Sequence, residues 1–302
     1  RQERLAGEYI RLAAGQSRRE VTTQLWLIED SVQKNDLKQA LVHYDIALRT
    51  KAGTYTLLFP ILLSALDDPA IRAALKPYIH GDRAWAQAFL THAIANSNNL
   101  PALVDLIIES GGFGVPDVAR AQNLDLLARL VSEKRFADAR RLYLRVPGAR
   151  AARLQDAGFD ATDRDGRFGT MAWQVMINPE SGGSFAKGDG DKTQLMIYAN
   201  PATTATVATR LLYLRPGQYD FAAKLVAFDG GERGSIRWQL RCPNLDNERP
   251  VWTLDSAGTA AGASLSVPAN CPVQFIDIVP SGGAGQSGLE ATVSEVTLRR
   301  RQ

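Results

Sequence analysis

Histidine and cysteine are scarce in this chain: three His and two Cys in 302 residues. His43, His80 and His92 lie in the first third, and Cys242 and Cys271 in the last, so no Cys/His zinc cluster can be assembled locally. No apolar run approaches the roughly 20 residues needed to cross a bilayer. The formal net charge is only +3, which gives no argument for a nucleic-acid partner. The basic groups Arg18-Arg19 and Arg299-Arg300-Arg301 read as solvated ends. There is no nucleophile elbow, phosphate-binding loop, dinucleotide fingerprint or zinc motif. The Gly-Gly pairs at 182–183, 230–231 and 282–283 read as loops between strands, with no helix following to receive phosphate. A glycosidase needs two carboxylates flanking one bond, and the sequence singles out no such pair. His43, beside Tyr44 and Asp45, reads as a surface or groove residue. The expectation is a protein that is not an enzyme, with no cofactor and no resident metal.

What is present supports two folded parts. Hydrophobic residues make up 45% and charged residues 22%, enough for two cores in a chain too long for one small domain. The sequence opens on Arg1, which reads as a processed or trimmed product, with an export signal or membrane anchor conceivable upstream of residue 1. Each cysteine precedes a proline at a strand edge. A bridge between them would close a loop of about 30 residues, for roughly 3–4 kcal/mol of chain-entropy stabilisation. The pair therefore reads as a disulfide in an oxidising compartment, a periplasmic or exported setting in a bacterial cell envelope. The alternative is two buried free thiols in the cytosol.

Residues 1–150 are expected to be helical. Apolar residues recur at helical spacing in Leu25/Ile28/Val32, Leu37/Leu41/Tyr44/Leu48 and Leu124/Leu127/Val131. Asn35-Asp36, Gly53, Asp67-Asp68-Pro69, Gly81-Asp82, Asn98-Asn99 and Gly111-Gly112 punctuate the run, which predicts eight or nine short helices. Two segments resemble the second helix of a tetratricopeptide repeat. Ala40, Tyr44 and Ala47 carry its small–aromatic–small pattern in one, and Ala139, Tyr143 and Val146 in the other. The two copies lie 99 residues apart, near three periods of about 34. The resemblance implies a helical repeat array with a groove for a protein partner; a spacer or packing platform is the plainer alternative.

The stretch 147–170 reads as a linker or an edge loop. Asp160, Asp163, Asp165 and Gly166 hint at a calcium loop, but Ala172 stands where the last carboxylate belongs, and turn chemistry explains the same residues.

Residues 156–302 change texture. Runs rich in Val, Ile, Tyr, Trp and Thr alternate with Gly/Pro/Asn/Asp clusters, the spacing of an antiparallel β-sandwich. Nine strands are predicted: 171–177, 193–199, 205–214, 218–228, 235–242, 251–254, 263–267, 273–279 and 290–298, with no helix. Alternation sends Ile236, Trp238, Leu240 and Cys242 inward and Arg237, Gln239 and Arg241 outward. If the fourth and fifth strands neighbour each other, Asp220, Lys224, Arg237, Gln239 and Arg241 share one polar face. The half is similar to jelly-roll carbohydrate-binding modules in its opening (Phe159 to Gln174), in Leu214-Arg-Pro-Gly-Gln-Tyr-Asp-Phe221 and in the closing strand 291–298. That resemblance implies glycan binding by stacking aromatics with planar polar partners. The candidates are Trp252, Tyr198 and Trp173, with Arg237, Gln239, Arg241, Lys224 and Asp220. Asp189 and Asp191 could ligate the structural calcium of such modules, though a plain turn fits them.

The expected whole is an α+β multidomain chain, a helical repeat array followed by a jelly roll. It would serve as a non-catalytic envelope scaffold that docks a protein and binds polysaccharide. Resemblance to repeat proteins of polysaccharide export machines suggests a role there. The alternative is a purely structural adaptor that never touches sugar.

Overall fold

The structure, a computed structural model, describes residues 20–80, 83–113, 116–245, 249–284 and 286–301. Two compact units emerge, Arg1–Arg129 and Leu130–Gln302.

The first unit is helical: α1 Val21–Gln33, α2 Leu37–Thr50, α3 Tyr55–Ser64, α4 Pro69–Ile79, α5 Ala84–Asn96, α6 Leu100–Glu109 and most of α7 Pro116–Ser132. The breakers in the sequence act as caps. Asp36 accepts the Gln39 amide, Asp68 the Ala70 amide with Pro69 opening the helix, and Asn99 the Ala102 amide. Asn35 takes the left-handed conformation (φ 55°) that reverses the chain between α1 and α2. Ala40, Tyr44 and Ala47 of α2 are all buried, as are Trp85, Phe89, Leu103 and Leu106. Gly81-Asp82 lies outside the described residues.

The second unit opens with the end of α7 and α8 Phe136–Tyr143, then α9 Ala161–Asp165 flanked by 3-10 turns at Ala151–Gln155 and Gly169–Met171. Ten strands follow: β1 Gln174–Val175, β2 Ser181–Lys187, β3 Thr193–Ala199, β4 Ala208–Leu212, β5 Gly217–Asp229, β6 Ser235–Arg241, β7 Trp252–Ser256, β8 Ala260–Val267, β9 Gln274–Ser281 and β10 Leu289–Arg300. They form two antiparallel five-stranded sheets, β1-β4-β9-β6-β7 and β2-β3-β10-β5-β8. Leu195, Ile197, Phe221, Trp238, Leu240, Leu265, Ile276, Ile278 and Val293 fill the space between them. The β-sandwich expectation holds, as does the placing of Trp238 in its core. Cys242 and Cys271 are bridged, with Cα atoms 5.5 Å apart, tying the end of β6 to the turn before β9.

Several expectations are corrected. The units meet at Arg129/Leu130 rather than at 150–156. The reason is packing within the second unit: the Phe136 ring meets Phe275 edge-on at 6.4 Å, Tyr143 meets Phe168 at 5.2 Å, and the Tyr213 hydroxyl donates to the Phe136 carbonyl at 2.8 Å. The segment 171–177 yields only the two residues of β1, because a 3-10 turn takes its start. Gly182-Gly183 is strand, not loop: β2 pairs along its whole length with β3. A Cβ at Gly182 would stand 2.9 Å from the Tyr198 ring, so glycine is what lets that ring lie across the strand. The Asp160–Gly166 stretch holds a short helix. Asp160 caps it, Asp163 returns the bond to the Asp160 amide, and Gly166 closes it at φ 63°.

Candidate functional site

The fourth and fifth predicted strands, β5 and β6, belong to opposite sheets. The proposed polar face therefore splits in two, with Arg237, Gln239 and Arg241 on the outside of one sheet and Asp220 and Lys224 on the outside of the other.

On the first sheet the polar residues are consumed internally. Asp277 of β9 is fully buried and is held by Arg241 from Nε and Nη2, by Gln239 Nε2 at 2.9 Å and by Thr209 Oγ1 at 2.6 Å. Arg241 also lies over the Phe275 ring, 5.3 Å from its centroid. Arg237 pairs with Asp255, directly opposite on β7, at 2.8 Å. Register thus gathers the predicted trio around carboxylates of its own sheet.

A second internal lattice anchors the connection. Asp163 is buried and receives Arg153 Nη2 at 3.0 Å, Arg210 Nη1 at 3.2 Å and the amides of Asp160 and Trp173. Arg210 is 1% exposed, and burial holds its guanidinium down at about 10, with Arg153 adding to the depression and Asp163 opposing it. Burial alone would raise the Asp160 carboxyl, but hydrogen bonding from Thr162 and the charge of Arg153 hold it below the usual range. The acidic residues read as a hint of calcium are engaged in helix capping and arginine pairing. Asp191 bonds Lys187 at 3.0 Å, which lowers its carboxyl, and reaches Arg164 at 3.4 Å. Among the described residues no three His, Cys, Asp or Glu side chains cluster as metal ligands.

Of the three aromatic candidates, one is buried in the core and one packs against its edge. Trp173 is 2% exposed, donates from Nε1 to the Ala157 carbonyl and packs on Phe159. Trp252 turns its ring onto Phe221 at 5.1 Å and donates to the Ser264 carbonyl. Trp173, just before β1, is closed off by this packing, whereas Trp252, at an inward position of β7, is only partly buried against the core.

Tyr198 is different. It sits half-exposed on the outer face of β2-β3-β10-β5-β8, and its hydroxyl donates to the Asn178 carbonyl at 2.6 Å. That bond, with the ring against Gly182, lays the ring along the sheet instead of upright. Register places Glu290 beside Tyr198 and Asp229 beside Glu290; the next rung carries Ser184, Met196, Thr292 and Ala227. Together these residues line a trough of about 400 Å³. Met196 is 49% exposed at an outward position of β3, and on β5 a β-bulge near 225–227 turns both Val226, 60% exposed, and Ala227 outward. Glu290 makes no ion pair or side-chain hydrogen bond among the described residues, although Asp229 stands directly opposite. A second hollow of about 330 Å³ on the same face is lined by Asp220, Ala222, Lys224, Glu295, Thr297 and Arg299. Lys224 pairs there with Glu295 at 3.2 Å, and a hydrogen bond from Arg301 lowers the Asp220 carboxyl. The Glu290/Asp229 pair escapes sequence reading because its members lie about 60 residues apart and only the β10–β5 register joins them.

No protein-family profile matches the chain, and no curated protein matches it. Solved structures similar to it include a family 61 carbohydrate-binding module in complex with β-1,4-galactotriose (12% identity, 48% of this chain and 99% of that one, TM-score 0.33). A family 4 module shares 16% identity over 46% of this chain and 84% of its own, at a TM-score of 0.28. The family 11 module of Clostridium thermocellum, in complex with a β-1,3-1,4-mixed-linked tetrasaccharide, shares 8% over 48% and 95%, at 0.31. Likeness this remote does not extend to a ligand.

Proposed function

We propose that the chain is a non-catalytic scaffold of the bacterial cell envelope that binds glycan on the outer face of β2-β3-β10-β5-β8, while its tetratricopeptide-like helical unit docks a protein partner. The observation that carries the glycan reading is the trough at Tyr198. A ring lying on the sheet offers its face to the apolar side of a pyranose. Glu290 and Asp229 supply acceptors for pairs of sugar hydroxyls, and Ser184 and Thr292 supply hydroxyls of their own. Like charges set opposite each other across two strands are unfavourable until donors reach them. Both carboxylates project from one flat face and address one side of a sugar, whereas glycoside hydrolysis needs carboxylates on both sides of the scissile bond. The disulfide favours an oxidising, extracytoplasmic compartment.

The test is a glycan array probed with the whole chain under oxidising conditions, followed by titration of any hit. Tyr198→Ala and Ser184→Arg, the second filling the trough from the neighbouring rung, should each weaken binding at least about tenfold, the scale of one stacking contact or a steric block. Absence of any hit, or a hit indifferent to both substitutions, would refute the glycan reading in favour of a purely structural adaptor.

A further inference from the structure

In the helical unit a groove of about 820 Å³ runs between α2 and α4. Its floor and walls are apolar, with Leu41, Val42 and Ile46 from α2 and Ala74 and Pro77 from α4. Its cations are Lys38 near one end of α2 and Arg49 near the other, with Arg83 from the start of α5. Eleven helical steps take Lys38 to Arg49, about 16 Å of axis, which an extended peptide of about five residues spans.

The arginines are preorganised. Asp45 is buried and accepts Trp85 Nε1 at 2.9 Å, Arg83 Nε at 3.0 Å and Arg49 Nη2 at 2.9 Å. Arg83 is further fixed by its bond to the Pro77 carbonyl and by lying over the Tyr78 ring, 5.0 Å from the centroid. One carboxylate thus orients two guanidiniums and leaves the groove positive, while Lys38 makes no ion pair among the described residues.

We infer that this groove docks an extended segment of another protein in which acidic groups flank apolar side chains. The inference rests on reading the helical unit as protein-binding, and it names the chemistry of the partner. Charge complementarity fixes the ends of the segment, and the apolar floor takes its centre. An acidic group bound by preoriented arginines forms charge-assisted hydrogen bonds and does not have to order the side chains that hold it.

The experiment is fluorescence anisotropy of the whole protein with labelled hexapeptides of four apolar residues between two glutamates. Each is compared with its glutamine counterpart, and each is made with a free and an amidated carboxyl terminus. The glutamate peptides should bind at least about tenfold more tightly than the glutamine ones. If affinity instead follows the free terminus, the carboxylate is a chain end, which the same groove serves. Lys38→Glu, exposed and without an ion pair among the described residues, should weaken binding while thermal unfolding is unchanged; Arg49 and Arg83 are left intact because both neutralise buried Asp45. Equal affinity for charged and neutral peptides, no binding at all, or indifference to Lys38→Glu overturns the inference. So does self-association abolished by Lys38→Glu, which would give the groove to a second copy of the chain. Glycan binding measured on the same variants should not move, so failure here is distinguishable from failure of the sandwich reading.

Discussion

Truncating Arg241 should damage the fold and spare binding, the opposite of what its outward-facing place in the sequence pattern implies. Its partner Asp277 is fully buried, and Arg241 supplies two of its hydrogen bonds and the countercharge. Removing one partner of a buried ion pair typically costs about 3–5 kcal/mol, because the other charge is left unmatched. Here Gln239 and Thr209 remain on the carboxylate, and the Arg241 side chain is 37% exposed, so water can follow it out. The expected cost for Arg241→Ala is therefore about 2–3 kcal/mol, below that range. In a unit of this size each kcal/mol lowers Tm by about 2–4 °C, so calorimetry should find a drop of roughly 5–10 °C. Arg237→Ala is the control. Its pair with Asp255 is about half exposed on both sides, and such pairs contribute about 0–1 kcal/mol. Tm values that fall equally for the two variants, or not at all for Arg241→Ala, would refute the buried-hub argument. A Tm that holds while glycan affinity collapses would return Arg241 to the binding face.

Reducing the Cys242–Cys271 bridge, which spans 29 residues of sequence, should cost about 3–4 kcal/mol by the loop-entropy relation, read as a lower urea midpoint with reductant or in Cys242→Ser; an unchanged midpoint contradicts it. Burial lowers the His43 imidazole, which hydrogen-bonds Gln24 at 2.8 Å, against the opposing pull of Asp30. Below its unfolded pKa the unfolded chain then binds the extra proton, so stability should fall on acidification from about pH 7 to 5. His43→Gln should flatten that dependence in denaturation series across the range. Glu290→Gln removes the like-charge opposition to Asp229 and should raise Tm by a degree or two, about 0.5 kcal/mol, while weakening any glycan bound in the trough; a lower Tm would show that the pair is not repulsive.

Periodicity made the architecture legible because helix and strand repeats are local. Asp36, Asp68 and Asn99 cap the helices that follow them, and the predicted second strand, 193–199, coincides with β3. β2 was hidden because Gly182-Gly183 looks like a turn, and its reason for being glycine, the Tyr198 ring, is 16 residues away. α8 joins the sandwich unit through Phe136 and Tyr143, positions whose buried state is equally consistent with helix-on-helix packing. Alternation assigned Arg237, Gln239 and Arg241 to an outer face correctly, but it cannot say what covers or neutralises that face. Asp277 reads as one more strand carboxylate until the β6–β9 register brings it against Gln239.

The contrast between the two outer faces supports the proposed site better than any single residue does. On β1-β4-β9-β6-β7 the charged groups pair with one another around Asp277 and Asp255, and Phe275 is covered by Phe136 and Arg241. A surface whose donors and acceptors already satisfy each other gains little from a polar ligand, because each new bond replaces an existing one. On β2-β3-β10-β5-β8 the rungs at Tyr198 leave two acidic side chains opposed, an aromatic ring laid along the sheet and small residues around it. There a ligand with hydroxyl donors exchanges bonds to water rather than breaking ion pairs of Glu290, and burying Met196 removes apolar surface from water as well. On the proposed reading, the trough at Tyr198, rather than the face whose arginines are paired, is where a ligand would gain binding free energy.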